Sequence, residues 1–389
     1  MKKQLCSTRG SHIEGDFWTA VRNGVADDGG LIIPTDWENR QIDVETLPLS
    51  YLAIAQAVLA CFTDGLDAPA LQALLHQAYK GRFDAEDVVR LSPLGSDFLL
   101  ELYHGPTAAF KDIALSLLPL FLAEASRRQS QPQKTLILTA TSGDTGKAAL
   151  ESFKDRAGCE LLVFYPDHLV SEIQQRQMVS SEGNNIGVCA IRGNFDDAQS
   201  AVKRCFADPQ LRAAFKACQI ELSSANSINI GRLVPQIVYY FWAYRQLRQR
   251  GVLTAGQTLD FSVPTGNFGD ILAGYYAKQM GLPVGKLIVA SNANNVLTEF
   301  FTTGCYNRRR PFMKTTSPSM DILISSNLER LLAHETGLDG QQVAAYMDQL
   351  QKQGEYQIDS ALLHRLQKQF ACGDCTDEQA AETIRQVYA

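Results

Sequence analysis

Lys111 stands in "HGPTAAFKD" (His104 to Asp112), directly after Phe110 and directly before the apolar helical run "DIALSLLPLF". The stretch before it, "DFLLELYHG", is apolar and reads as a strand. A lysine between a buried strand and a buried helix has its ammonium destabilised, which suits it to act as a base or to form a Schiff base. The alternative is a helix lysine that snorkels to water along its own stem.

Two glycine-bearing turns supply anion chemistry. "PTGNFGD" (Pro264 to Asp270) follows the apolar run "TLDFSV" and opens the helical run "DILAGYY". Gly266 and Gly269 permit a tight turn, and the N–H groups they free, with the helix dipole, favour a phosphate. Positive φ is expected at these glycines, so a β-branched replacement would weaken the turn's grip. The spacing is neither the dinucleotide fingerprint nor a Walker loop. A purely structural turn is the competing reading.

"TATSGDTGKAA" (Thr139 to Ala149) occupies the same kind of junction. The hydroxyls of Thr139, Thr141, Ser142 and Thr145, the carboxylate of Asp144 and two glycines converge on a helix start. They suit a bound carboxylate, although Ser, Thr and Asp are also what helix caps prefer. A lysine amine, a phosphate cradle and a carboxylate cradle together match pyridoxal phosphate chemistry, in which the ring is an electron sink. His104 reads first as a structural hydrogen bonder. No H-E-x-x-H and no G-x-S-x-G is present.

The surrounding elements place these groups. From about residue 97, apolar strands ("KTLILTA", "CELLVFYP", "NIGVCAI", "TLDFSVP", "KLIVASN") alternate with helices, among them Phe195 to Ala207 and "PQIVYYFWAYRQLRQ". That alternation predicts parallel sheets covered on both faces, with ligands beyond the carboxyl ends of the strands. The first hundred residues read as a helical cap with "YLAIAQAVLACF" and "PALQALLHQAY" as helices. The expected division is a cap region over 1–95, an α/β domain over 96–260 and a second α/β lobe over 261–389.

With 389 residues, 45% hydrophobic and 20% charged, there is material for more than one core. The net charge of −6, with no basic cluster denser than "NRRR" (Asn307 to Arg310), argues against nucleic acid and anionic membranes. No secretory leader or bilayer-length run stands out. Nine scattered cysteines fit a reducing compartment, the cytoplasm. "CGDC" (Cys372 to Cys375) reads as a surface turn, with a zinc site as the weaker alternative.

In this order, "STRG" (Ser7 to Gly10), "DDGGLIIP", "HGPTAAFKD", "TATSGDTGKAA", "SANSINIGRLVPQ", "VPTGNFGDILAGYYAKQMGLP", "SNANNVLTEFF" and "SPSMDILISSNLERLL" resemble the threonine synthase family of fold type II pyridoxal phosphate enzymes. The resemblance runs from residue 7 to about 332. It implies two parallel or mixed α/β domains with an N-terminal helical cap. It implies Lys111 as the catalytic Schiff-base lysine, and Gly266, Asn267, Phe268, Gly269 and Asp270 as the cofactor-phosphate loop. It implies Thr141, Ser142, Asp144 and Thr145 as the substrate loop. The implied reaction is the conversion of O-phospho-L-homoserine and water to L-threonine and phosphate. A second anion site is then needed, and Lys147, Arg232, Asn327 and Arg330 are candidates by charge and neighbourhood. A monomer or a homodimer is expected.

Members of this family usually continue past the point where this sequence stops, with a Pro-His-Thr-Ala-like stretch unmatched here. "TDEQAAETIRQVYA" reads as an amphipathic helix with a Thr376–Gln379 capping box and no stop signal. That suggests a cut, with a fraying natural end as the alternative. Rival functions are a related phospho-lyase or deaminase, or a cofactor-binding protein without turnover.

Overall fold

The chain is seen in a computed structural model that describes residues 4–388 apart from positions 14, 86, 132, 142, 169 and 194. Strand β1 (Leu5–Ser7) pairs antiparallel with β2 (Ile32–Pro34), and α1 (Phe17–Asn23) lies between them in sequence. Helices α2 (Tyr51–Ala60) and α3 (Ala68–Tyr79) start at Ser50 and Asp67, whose side chains accept from Ala53 N–H and Ala70 N–H. These helices have no core of their own. Phe17 and Trp18 stand edge-on to Phe121, 5.6 and 5.9 Å between ring centroids, and join the main core.

Residues 90–101 form a hairpin, β3 (Arg90–Leu94) and β4 (Asp97–Glu101). "DFLLE" is thus a strand, but it is half exposed and outside the parallel sheets, contrary to the buried strand expected. Helix α4 (Lys111–Arg127) is buried from Lys111 through Leu122 and runs through Pro119.

Then β5 (Lys134–Ala140), α5 (Asp144–Phe153), β6 (Cys159–Pro166), α6 (Glu172–Val179), β7 (Ile186–Ile191), α7 (Phe195–Ala207), α8 (Pro209–Ala217) and β8 (Ile220–Ser223) build a four-stranded sheet. Its order is β7-β6-β5-β8 and every pair is parallel. The second sheet comes from β9 (Leu259–Pro264), α10 (Gly269–Gln279), β10 (Val284–Ser291) and α11 (Val296–Thr303), followed by β11 (Cys305–Asn307) and α12 (Leu328–Glu335). The chain ends with α13 (Gly340–Gln353), β12 (Glu355–Gln357), α14 (Ser360–Gln369), β13 (Phe370–Asp374) and α15 (Asp377–Tyr388). Here the order is β13-β10-β9, again parallel.

Between the sheets runs Ile230–Gln249, numbered α9 by its place in the chain, buried over Ile230–Tyr244 and packed on both α4 and α10. It joins both sheets in the main apolar core, while Leu138, Ala140, Ala198 and Val202 form a smaller separate cluster on the first sheet. Each large side chain it buries contributes about 1.5–3 kcal/mol.

Two expectations change. Cys372–Asp374, read as a surface turn, lies in β13 and pairs with β10 from Val289 to Ser291. Strand β8, four residues long, has no counterpart in the sequence reading. The expected capping box is present: Thr376 N–H donates to Gln379 Oε1 and Gln379 N–H to Thr376 Oγ1, 2.8 and 3.3 Å. Among the described residues, no helix is long and apolar enough to cross a membrane. Among the described residues no disulfide joins the cysteines.

Candidate active site

Lys111 is the first residue of α4, so its direction depends on the loop before it. Asp112 ties that loop down, accepting from Thr107 N–H at 2.7 Å and Thr107 Oγ1 at 2.6 Å. Gly105 presses on Asp112: an added Cβ would lie 2.6 Å from the Asp112 Cβ. The Lys111 residue is 9% exposed. Its ammonium is met by a carboxylate, a partner that the sequence reading did not name. Nζ donates to both Asp144 oxygens at 2.7 Å, with the Phe110 ring centroid 5.4 Å away.

Asp144 begins α5, in the turn after β5. Thr141 Oγ1 accepts from Gly143 N–H at 2.9 Å and Gly146 N–H at 2.8 Å, so this hydroxyl shapes the turn. Gly143 has φ 148, and a Cβ there would meet the Gln174 amide at 2.2 Å. Asp144 Oδ1 also accepts from Thr145 N–H at 2.7 Å, and Oδ2 accepts from Ser319 Oγ at 2.6 Å. Burial pushes the Asp144 carboxyl up, but Lys111, Ser319 and Thr145 together hold it below its ordinary value. Thr145 is half-buried beside it. Ser142 lies outside the described residues.

The turn after β9 is built differently. Phe268 takes the left-handed conformation, φ 64, directly before α10, and no described side chain caps the helix. Apart from the Ile271 N–H, which donates to Asp270 Oδ1 at 2.9 Å, its first N–H groups are left for an anion. The positive φ expected at Gly266 and Gly269 falls instead on Phe268. The glycines serve close approach: a Cβ on Gly266 would lie 3.2 Å from Met320 Cα, and one on Gly269 3.3 Å from Asn327 Nδ2.

The turn is braced from behind. Ser325 Oγ donates to Gly266 O at 2.7 Å, and Asn327 N and Nδ2 donate to Asn267 O at 3.0 and 2.9 Å. Burial pushes the Asp270 carboxyl up to about 6, against the Ile271 N–H and the Lys111 charge.

The two turns are joined through one short segment. The 3-10 turn Pro318–Met320 backs Gly266, while its Ser319 hydroxyl reaches Asp144 and so the lysine. Nothing in "SPSMD" marks Ser319 from the sequence. Side-chain pairing across 175 positions leaves no periodic or local signal.

The four phosphate candidates separate. The Arg330 guanidinium is consumed by Ile32 O (3.1 Å), Ser227 O (3.4 Å), Ile228 O (2.6 Å) and Asn327 Oδ1. Asn327 braces the 264–270 turn. Arg232 is buried with one bond, to Ala225 O at 2.6 Å, and its Nε has no partner among the described residues. Burial lowers it to about 10, against the Asp144 charge. Lys147 reaches Ser181 Oγ at 3.1 Å and Glu151 at 3.4 Å. His104 bonds Glu101 at 2.8 Å, inside the hairpin region.

The buried hydroxyls of Thr139, Ser223 and Ser291 are also without partners among the described residues. They sit at the carboxyl ends of β5, β8 and β10, where an α/β sheet presents its ligand.

The family described as pyridoxal-phosphate dependent enzyme matches residues 87–359, and the threonine synthase N terminus matches residues 4–79. Human threonine synthase-like 1 is 38% identical over 392 residues, covering 96% of this chain and 51% of its own length. The Pseudomonas aeruginosa threonine synthase is 39% identical over 386 residues, covering 98% of this chain and 79% of its own. The chain therefore spans about half of the first relative's length and about four fifths of the second's. The crystal structure of pyridoxal-phosphate-bound threonine synthase from Brucella melitensis superposes with TM-score 0.88 at 40% identity, covering 99% of this chain and 81% of that one. Yeast threonine synthase gives 0.86 at 33% identity, covering 100% and 79%. The chain belongs to the pyridoxal-phosphate-dependent enzyme family, within its threonine synthase branch.

Proposed function

We propose that this chain is a threonine synthase that converts O-phospho-L-homoserine and water to L-threonine and phosphate. The observation that carries the reading is the convergence of Lys111, Asp144 and Ser319 on the flank of the Gly266–Gly269 turn.

The residues present fit pyridoxal phosphate. The uncapped start of α10 suits its phosphate, Lys111 suits its aldehyde, and the orphaned polar atoms at the strand ends suit a polar ligand above the sheets. When bound, the cofactor supplies an electron sink for charge developing on the substrate carbons.

The chain's own groups supply the rest. Lys111 Nζ moves protons at the α, β and γ carbons of the substrate. Asp144 holds the amine in the crevice and balances its charge in the protonated state. The Gly266–Asp270 backbone grips one phosphate, and the braces from Ser325 and Asn327 keep that backbone in place before binding. Arg232, buried and underused, is the cation best placed to balance a second anion near Asp144. Thr141, through the two N–H bonds it accepts, sets the position of Asp144 and Thr145 at the start of α5. Ser142 completes the substrate loop. Nine cysteines with no disulfide among the described residues support placement in a reducing cytoplasm.

Incubation of the purified chain with O-phospho-L-homoserine and pyridoxal phosphate should release phosphate and threonine in equal amounts. Phosphate with a 2-oxo acid would assign the chain to the eliminating phospho-lyases or deaminases. Neither product would leave it a cofactor-binding protein.

A further inference from the structure

Ser319 comes from the lobe that carries the phosphate turn, yet its hydroxyl bonds the carboxylate that holds the lysine on the other lobe. It sits in a 3-10 turn that is itself fixed. Asp321, one residue beyond that turn, is buried and accepts from Asn292 Nδ2 (2.8 Å), Asn294 Nδ2 (2.9 Å), Thr315 Oγ1 (2.7 Å) and Thr315 N–H (3.0 Å). These partners tie the turn to the segment leaving β10. Ser319 Oγ is thus presented by a rigid platform.

Asp144 has no slack either. Oδ1 takes Lys111 Nζ and Thr145 N–H, and Oδ2 takes Lys111 Nζ and Ser319 Oγ. Ser319 is the one side chain besides the lysine that fixes Oδ2 among the described residues. Without it the carboxylate can rotate about its terminal torsion, which is broad and soft. The two-point contact with the ammonium then loosens.

We propose that Ser319 is a positioning residue that latches Asp144 onto Lys111 across the crevice, keeping the cofactor-free lysine in a locked, paired state. The proposal rests on the reading of Lys111 as the cofactor lysine. Capture of an aldehyde joins a neutral Nζ to the carbonyl carbon and expels one water. The ammonium must first give up a proton to solvent, and the Asp144 charge beside it opposes that loss. A tightly held pair therefore slows capture, and a loosened one speeds it. The same turn lies against Gly266, so an anion settling in the phosphate turn is felt at the latch.

The test is the rate at which the full chain, stripped of cofactor, captures pyridoxal phosphate. Capture is followed by the visible absorbance of lysine-bound cofactor and confirmed by borohydride reduction and the mass of the Lys111 peptide. Ser319→Ala should capture several-fold to about tenfold faster than the parent. Ser319→Thr, which restores the hydroxyl, should return to the parent rate, and Ser319→Cys, a weak donor, should fall between. Parent-like rates in both the Ala and Cys variants would overturn the latch and leave the cofactor reading intact. Absence of label on Lys111 in the parent would overturn both.

Discussion

The turns after β5 and β9 occupy equivalent places, each between a parallel strand and a helix, and each carries an aspartate in the helix's first turn. They are finished in opposite ways. In the first, Thr141 satisfies the backbone and the carboxylate of Asp144 is turned outward to a lysine. In the second, the N-cap residue Phe268 supplies no side-chain bond, the backbone before Ile271 is left open, and the buried carboxyl of Asp270 takes the Ile271 N–H. A capped helix start delivers a side chain, and an uncapped one delivers its N–H groups. The electrostatics follow: Asp144 is held below its ordinary value while Asp270 is pushed up to about 6.

The largest effect should come from the amine that faces both turns. Lys111→Ala should abolish the visible absorbance of bound cofactor together with turnover, read by spectroscopy and phosphate release. Retained turnover would remove the lysine from the reaction. The next largest is Asp144→Ala, which strands a buried ammonium without a counter-charge. Breaking such a pair costs on the order of 3–5 kcal/mol, and denaturant unfolding of the cofactor-free chain should show it.

Asp270 tests the other turn. Its folded value lies above that of the unfolded chain, about 6 against 3.8. Between those values the folded state binds more protons, so stability falls as pH rises from about 4 to 6. Its full extent is roughly 3 kcal/mol from the 1.36 kcal/mol carried by each unit. Asp270→Asn should flatten that fall, measured by unfolding free energies from pH 3 to 8. Asp144 has the opposite sign: its contribution is present above the unfolded value and lost as pH drops through the folded one. An unchanged profile in Asp270→Asn would mean that the buried carboxyl is better solvated than its surroundings suggest. Gly266→Val should weaken cofactor affinity about tenfold or more by pushing the turn off Met320. The cause is the added Cβ, 3.2 Å from a backbone atom, and not the backbone angle.

Much of this contrast was legible in the residues. Strands β5 and β6 were read to within a residue because parallel strands covered on both faces are near-continuous apolar runs, and β7, a half-exposed edge strand, was read from its own apolar run. Both turns stood out by glycines at strand–helix junctions. Strands β8 and β13 were missed for the converse reason. "IELS" and "FACGD" are short, mixed in polarity and stabilised by a neighbour distant in sequence. The lysine's counter-charge was missed too, because Asp144 in its own loop looks like a helix cap. Only the fold brings residue 144 to 111, and 319 to both.

The smallest effect separates the turns most cleanly. Thr141→Ala removes the acceptor of two N–H groups, and loss of such a cap costs about 1 kcal/mol. Thr141→Ser keeps the hydroxyl and should cost less. If the first turn exists to aim Asp144, the alanine variant should lose turnover by more than its loss of stability predicts. Its affinity for cofactor, set at the second turn, should stay near that of the parent. If both fall together, the two turns are not independent devices, and Thr141 belongs to the cofactor's own contacts. Cofactor titration beside steady-state turnover on the same two variants decides between these, because a cap that only stabilises would move neither reading in the folded protein.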